Sequence, residues 1–198
     1  MLDAVFVALA DHGLTTSALS SRLTYTGAPE AIQGAVAAGL LGAGSVFLGP
    51  AGDTAEFLAA ALARRRDASL RATAEDAVRV RRAAGLRVPG LGHPVHRAED
   101  PRTPRFYHLA EELGLLGPHL LLLREVASVH EEQTGKRLPI NGAGAGGAAL
   151  ADIGIPTAAV RGVVLIARTA GLVAHLVEEM AEPIGMPLYL EVERRASE

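Results

Sequence analysis

Short segments rich in alanine and leucine, separated by glycine and proline, make up most of this 198-residue chain. None of these segments keeps the alternation of apolar and polar residues that a half-buried strand requires. Aromatic residues account for only 4% of the chain and tryptophan is absent, so alanine, leucine and valine must form the core. Because such small side chains favour close packing between helices, the sequence predicts an all-α fold.

Composition excludes several kinds of function. The net charge is −3 and no dense basic stripe is present, so we expect no nucleic-acid partner. The absence of cysteine rules out disulfides, thiolate zinc sites and a cysteine nucleophile. The histidines on the predicted helices lack the spacing of metal ligands, so no metal site is predicted.

The longest apolar stretch, Val160–Val177, is interrupted by Arg161, Arg168 and His175. These charged and polar residues favour a buried helix over a membrane span. The apolar start of the chain, Leu2–Ala10, has no basic segment before it and does not resemble a signal peptide. We therefore expect a cytoplasmic protein without a membrane partner.

The segment Leu86–Arg102 concentrates residues suited to chemistry. Its prolines and glycines exclude a helix, and Gly90 and Gly92 allow a ligand or another backbone to come close. His93 supplies a side chain suited to proton transfer near neutral pH. Arg102 offers a planar fork for a carboxylate. These residues indicate a site for a small acid, although a surface turn between two helices fits the same pattern.

Two further residues have alternative interpretations. His12 follows the first apolar segment, where a helix dipole would favour the imidazolium, but an exposed histidine at a helix end is equally consistent. Arg168 lies in an apolar helix, and a buried arginine needs an anionic partner. That partner is either a protein carboxylate or a substrate carboxylate.

Three glycine-rich or charged regions are interpreted as non-helical. We predict a tight interhelical turn over 41–50. The segment Ile140–Gly147 is too rich in glycine for an ordinary helix start, and a helix is expected only over 148–153. The tail from Glu182 contains Pro183 and Pro187 and ends in charged residues, so no helix is predicted there.

Four motifs occur in an order that resembles the citrate synthase superfamily. They are Ala10-Asp11-His12-Gly13, Pro89-Gly90-Leu91-Gly92-His93 with Asp100-Pro101-Arg102, Leu138-Pro139-Ile140-Asn141, and Ala167-Arg168-Thr169-Ala170-Gly171. The Gly27–Gly49 stretch is more similar to the citryl-CoA lyase branch, which includes the lyase module of ATP-citrate lyase. A synthase is expected to show His-Gly-Gly where this chain has Phe47-Leu48-Gly49-Pro50.

The resemblance implies a multi-helical fold of two lobes, truncated at its N-terminus relative to the family. It assigns 1–16 and 156–198 to large-lobe helices and 17–155 to a small lobe that carries the coenzyme A loop. It also implies a coenzyme A thioester and a four-carbon oxo-acid such as oxaloacetate as the small-molecule partners. The apolar start of the chain predicts, in addition, a homo-oligomer, most simply a dimer.

The resemblance further implies roles for individual residues. His12 matches the family histidine that stabilises the thioester enolate, and His93 matches the one that exchanges a proton with the oxo or hydroxyl oxygen. Arg102 and Arg168 match arginines that hold substrate carboxylates. The positions that match the coenzyme A site are Val88, Gly90, Leu91, Gly92 and Asn141.

One position departs from the family pattern. Where the family has Asn-Val-Asp-Gly, this chain has Asn141-Gly142-Ala143-Gly144, so Ala143 replaces the aspartate that moves the proton on the methyl carbon. Loss of a positioned base typically costs about 10²–10⁴-fold in rate. Two hypotheses follow: an enzyme of the citryl-CoA lyase or citrate synthase type, or an inactive protein or subunit that binds coenzyme A thioesters.

Overall fold

The computed structural model describes residues 1–198 and contains eleven α-helices and no strand. In chain order, the helices are α1 (Leu2–Leu9), α2 (Thr16–Gly27), α3 (Ile32–Leu41), α4 (Ser45–Leu48), α5 (Pro50–Ala63), α6 (Leu70–Ala83), α7 (Arg102–Glu112), α8 (Pro118–Thr134), α9 (Gly142–Asp152), α10 (Thr157–Ala181) and α11 (Gly185–Ala196). The predicted all-α fold is confirmed.

Helix α9 begins earlier than the sequence predicts, at Gly142 rather than at 148. The Asn141 side chain accepts a hydrogen bond from the Gly144 N–H at 2.7 Å and so caps the helix. Glycine is required here because α9 packs against other backbone: a Cβ on Gly144 would meet the Gly90 backbone, and one on Gly147 would meet the Ala51 carbonyl. The glycines therefore serve helix packing.

The region 41–50, predicted as a turn, contains the short helix α4 and the first residue of α5. Pro50 starts α5, a position where proline's fixed φ and missing N–H carry no penalty. The turn prediction is wrong for this part of the chain. Gly44 and Gly49 flank the two ends of helix α4 and do not form one continuous turn.

The charged tail also forms a helix that was not predicted, α11. The carboxylate of Glu179 accepts the N–H groups of Ile184 and Gly185, which holds the start of α11 against α10. Further along, Glu191 pairs with Arg194 and Arg195 at helical spacing. The charged residues near the end of the sequence thus form ion pairs on a helix surface.

Two clusters of buried apolar side chains form the core. One joins residues of α5, α6, α7, α8 and α9, and the other joins residues of α1, α4, α5, α7, α9 and α10. Helices α5 and α9 contribute to both clusters, and their N-terminal ends lie beside the main cavity of the protein. The proposed division into 1–16 with 156–198 and 17–155 remains a prediction.

Helix α10 organises one side of the molecule. It has 25 residues and is long and apolar enough to cross a membrane by length and composition. In this structure it packs against α1, α2, α3 and α5. It also buries Arg168, His175 and Glu179, whose side chains are all less than a tenth exposed.

Candidate active site

A cavity of about 760 Å³ opens where the end of α1, the α4–α5 corner, the loop after α6, the start of α9 and helix α10 meet. The four residues predicted to be catalytic or to bind substrate, His12, His93, Arg102 and Arg168, all line it. They come from three separate parts of the chain, since His93 and Arg102 share one segment, and the fold brings these parts together.

The two histidines face each other across this cavity. The ring centroids of His12 and His93 are 5.5 Å apart in an edge-to-face arrangement. Nδ1 of His93 accepts the backbone N–H groups of Val95 and His96 at 3.1 and 3.0 Å. Since Nδ1 accepts, the proton of the neutral ring is on Nε2, which is buried without a hydrogen-bond partner. His93 therefore offers a free N–H donor.

Both histidines are held in the neutral form. Burial lowers the pKa of His12, and the charges of Arg102 and Arg168 lower it further. Burial likewise lowers the pKa of His93, against the opposing effect of Asp100. Near pH 7 the two rings are thus uncharged hydrogen-bonding groups in a cationic cavity.

Arg168 is buried to 3% exposure, as the sequence predicted. Its Nε and Nη1 atoms have no hydrogen-bond partner, although a buried guanidinium is costly unless it is paired. Burial lowers the pKa of Arg168, and the charge of Asp11 opposes that shift. No protein carboxylate forms a hydrogen bond with Nε or Nη1 of Arg168, and a substrate carboxylate as the partner remains a prediction.

Arg102 is already paired within the protein. Its Nε and Nη2 donate to the two oxygens of the fully buried Asp100 at 2.9 and 2.7 Å, and Nη1 donates to the Ala8 carbonyl at 3.3 Å. Burial alone would raise the pKa of Asp100, but hydrogen bonds from Arg102 and from the Gly142 N–H hold it far below its usual range. Its role toward substrate remains a prediction, carried by its remaining N–H groups.

The predicted coenzyme A loop is fixed in place by the segment that precedes α9. Gly92 N–H donates to the Pro139 carbonyl at 2.7 Å, and Asn141 Nδ2 donates to the Gly92 carbonyl at 2.9 Å. Gly90 has a φ of +84° and lies against Gly144, so a side chain at 90 would be strained. The loop is therefore a rigid wall of the cavity.

The proposed coenzyme A residues lie on two sides of this wall. Val88, Leu91, Gly92 and Asn141 line the main cavity, whereas Gly90 lines an adjoining cavity of about 620 Å³. Val88, Leu91, Gly92 and Asn141 line that second cavity too, so the loop separates two neighbouring spaces.

Ala143 lines the main cavity, at the start of α9. Asp11 is the one carboxylate among the lining residues. Its oxygens accept the Gly13 N–H at 3.0 and 3.1 Å, and one of them lies 2.9 Å from Nε2 of His175. The chain thus places no unengaged carboxylate beside Ala143.

Several residues important to the site were missed from the sequence. Asp100 accepts the N–H of Gly142, and His175 contacts Asp11, which are both distant in sequence. His130 lines the cavity although no role was predicted for it. The structure also brings ligand atoms of His93, His96 and Asp100 within 4.8 Å of one another. Because Arg102 and Gly142 N–H occupy both Asp100 oxygens, this cluster offers a metal little, and the prediction of no metal remains untested.

The fold and the site together define a helical protein with a rigid loop, paired neutral histidines and a free buried arginine around one cavity. Residues 1–187 match the family described as "Citrate synthase, C-terminal domain", and the chain belongs to this family.

Individual relatives agree with this assignment. "Putative citrate synthase 2" of Mycobacterium tuberculosis is 30% identical over 182 residues, which are 90% of this chain and 47% of that protein. The structure of citryl-CoA lyase from Hydrogenobacter thermophilus has a TM-score of 0.81 and 32% identity, over 91% of this chain and 68% of that one. The chain spans about half the length of the curated relatives that it matches.

A more distant neighbour is similar in fold alone. ATP citrate lyase from Methanothrix soehngenii, in complex with citrate and coenzyme A, has a TM-score of 0.74 at 20% identity. The match covers 91% of this chain and 31% of that one.

Proposed function

We propose that this chain acts on a coenzyme A thioester and an oxo-acid such as oxaloacetate, making or breaking the carbon–carbon bond between them. The observation that carries the proposal is the buried Arg168 guanidinium, whose Nε and Nη1 have no protein partner and which faces the same cavity as His12 and His93. A carboxylate ligand would satisfy it.

The chemistry needs two oxygens to be stabilised. A carbon–carbon bond next to a thioester forms or breaks through an enolate, which hydrogen-bond donors must hold. In this proposal, His12 would donate to the thioester oxygen. The Nε2–H of His93, which has no partner in the protein, would donate to the oxygen that is oxo in one state and hydroxyl in the other. Neutral rings suit this role, because their hydrogen bonds strengthen as charge develops on the oxygens.

The adjoining cavity supports coenzyme A as the carrier. It is lined by Arg64, Arg81 and Arg87 and shares the Val88–Gly92 wall with the main cavity. Arginine forks suit phosphates, so the nucleotide part of coenzyme A would lie on this side of the wall. The acyl group would then extend past the wall toward the histidines.

Among the reactions of the family, we favour cleavage of citryl-CoA to acetyl-CoA and oxaloacetate. The support is the similarity to citryl-CoA lyase, with 32% identity and a TM-score of 0.81. The match covers 68% of that chain, whereas it covers 47% of "Putative citrate synthase 2". In the cleavage direction, the hydroxyl group gives up its proton to solvent as its oxygen becomes the oxo oxygen, and the electrons of the carbon–carbon bond pass to the thioester as an enolate that His12 would stabilise. A proton must then be added to the enolate carbon to give acetyl-CoA, and this is the step for which Ala143 supplies no acid. Bond breaking itself does not use that group.

The test is the cleavage of citryl-CoA by the wild type and by Arg168→Gln. We expect the substitution to lower kcat/KM by about 10²-fold or more, because it removes a charge-assisted carboxylate contact in a buried site. The rate of cleavage is measured from the oxaloacetate released, which is reduced in a coupled reaction.

The matched control is Arg161→Gln, which changes an exposed arginine on the same helix that does not line the cavity. It should leave kcat/KM unchanged. Equal activity of Arg168→Gln and the wild type would refute the role of Arg168 as a carboxylate ligand.

A second candidate function is a thioester-binding protein without catalysis. The observation that favours it is Ala143 in the cavity wall, with Asp11, the one lining carboxylate, engaged by Gly13 N–H and His175. Such a protein would bind acetyl-CoA but would not remove a proton from its methyl group.

Deuterium exchange into the acetyl methyl group of acetyl-CoA separates the two candidates. We expect slow exchange in the wild type and faster exchange in Ala143→Asp, by about 10²-fold, since the substitution supplies a base. Rapid exchange in the wild type, unchanged by Ala143→Asp, would show that another group is the base. Binding of acetyl-CoA with no citryl-CoA cleavage would favour the second candidate.

A further inference from the structure

Helix α10 presents three residues to the segment that carries His12. Arg168, Gly171 and His175 follow one another at spacings of three and four residues, so they lie on the same side of the helix. At Gly171 the backbones meet, since a Cβ there would overlap the Ala10 carbonyl. Arg168 lies on one side of this contact and His175 on the other.

His175 is buried to 7% exposure, and both of its ring nitrogens contact carboxylates. Nε2 is 2.9 Å from Asp11 Oδ1, and Nδ1 is 3.1 Å from Glu178 Oε2. Arg22 of α2 binds the neighbouring carboxylates of α10: its Nη1 contacts Glu178 at 3.3 Å and its Nε contacts Glu179 at 2.6 Å. The mechanism described above uses none of these groups.

Asp11 connects this cluster with the site. It precedes His12, it is the one carboxylate that lines the cavity, and its charge acts on Arg168. It nevertheless forms no ion pair with Arg168, because its oxygens are engaged by the Gly13 N–H and by His175. Arg168 is an unsatisfied cation on which the charge of Asp11 already acts, so it is the partner that Asp11 would gain without His175.

We propose that His175 is a positioning residue that holds the Asp11 carboxylate against α10 and so keeps the Arg168 guanidinium free for a carboxylate ligand. This inference rests on the proposed function for its ligand, an oxo-acid or its condensation product. The part that concerns the protein alone, namely that the Asp11 carboxylate contacts His175 and not Arg168, does not depend on any ligand.

The first experiment measures oxaloacetate and citrate binding by calorimetry in His175→Ala. We expect the affinity of the variant for these acids to fall about tenfold. A fall of this size corresponds to Arg168 being free of Asp11 in only about a tenth of the protein. Adding Asp11→Asn to His175→Ala should restore most of the affinity, because a neutral amide competes for Arg168 much more weakly than a carboxylate does. His175→Gln should stay within about threefold of the wild type, since its amide N–H can donate to Asp11.

The matched control is His119→Ala. His119 also contacts a buried carboxylate, Asp152, at 2.8 Å, but neither residue lines the cavity. The control should lower the melting temperature without changing affinity. If His175→Ala loses affinity and Asp11→Asn does not restore it, His175 has only a structural role and the inference fails.

A second experiment needs no ligand. Urea unfolding of Asp11→Asn, Arg168→Met and the double variant gives the coupling between the two residues, first with His175 present and then in His175→Ala. We expect a small coupling with His175, from the charge of Asp11 alone, and a clearly larger one without it. The same coupling in both backgrounds would overturn the inference. If the wild type binds neither acid while the expected coupling appears, the proposed function fails and the positioning role holds.

Discussion

At the scale of single residues, the site combines uncharged histidines with an unpaired cation. His12 and His93 were recognisable from the sequence because each lies in a short motif next to glycine, and Arg168 because an arginine stood in an apolar helix. The roles of Asp100 and His175 were not recognisable. Their partners, Gly142 and Asp11, lie 42 and 164 residues away along the chain, and only the folded backbone brings them together.

The state of the two histidines predicts that binding of a di- or tricarboxylate takes up protons. Burial lowers the pKa values of His12 and His93, and an anion placed beside them would raise these values again. We expect a fractional uptake of protons below pH 6.5, where the rings of the free protein are still mostly neutral. Calorimetry in buffers of different ionisation enthalpy measures it, and His93→Gln should reduce it. Binding without any buffer dependence would contradict the prediction.

The same shifts give a direction for stability without ligand. Because the folded-state pKa values lie below the unfolded value of about 6.5, the unfolded chain binds more protons as the pH falls. The contribution of these two neutral rings to the free energy of unfolding is therefore complete above pH 6.5, and it is lost as the pH falls below that value.

At the scale of helices, the positions of glycine decide how closely α9 and α10 approach their neighbours. The sequence predicted the helices of the Ala/Leu-rich segments but not α11 or the first turns of α9. The local composition of both regions is unfavourable for a helix. Contacts with other residues stabilise the helices nevertheless: Asn141 caps α9, and Glu179 binds the first N–H groups of α11. Such contacts cannot be inferred from a segment considered alone.

The glycine of α9 that packs on α5 provides a test of this argument. Gly147→Ala should destabilise the protein by about 1–3 kcal/mol, because its Cβ would overlap the Ala51 carbonyl and the helices would have to separate. The matched control is Gly162→Ala on α10, where no atom lies within 4 Å of the added Cβ. It should stabilise the protein by up to about 1 kcal/mol, since alanine is the better helix former. Chemical denaturation measures both, and equal effects would refute the packing argument.

At the scale of the whole molecule, one face of α10 remains apolar and uncovered. Ile166, Val173, Val177 and Met180 are between 43% and 60% exposed and lie at helical spacing, and Val7 on α1 is 80% exposed. The apolar start of the chain had suggested self-association, and the structure adds this second surface. A contiguous apolar face of this kind is typical of an interface.

We therefore predict a dimer in solution that Val173→Glu and Val177→Glu together convert to a monomer, because the charges would have to be buried in the interface. Sedimentation velocity at micromolar concentration measures the change. The control is Leu113→Glu, which alters an exposed leucine after α7 and should leave the dimer intact. A wild-type monomer would contradict the prediction.

The unpaired Arg168 has a consequence for selectivity. A neutral analogue of the substrate acid, such as an amide of the same size and shape, would enter the cavity and leave the guanidinium buried without a counter-charge. Sites with a buried polar group to satisfy reject ligands that cannot satisfy it far more strongly than apolar pockets reject a change in size. Under the proposed function, we therefore expect the cavity to distinguish its ligands first by charge and only then by carbon skeleton.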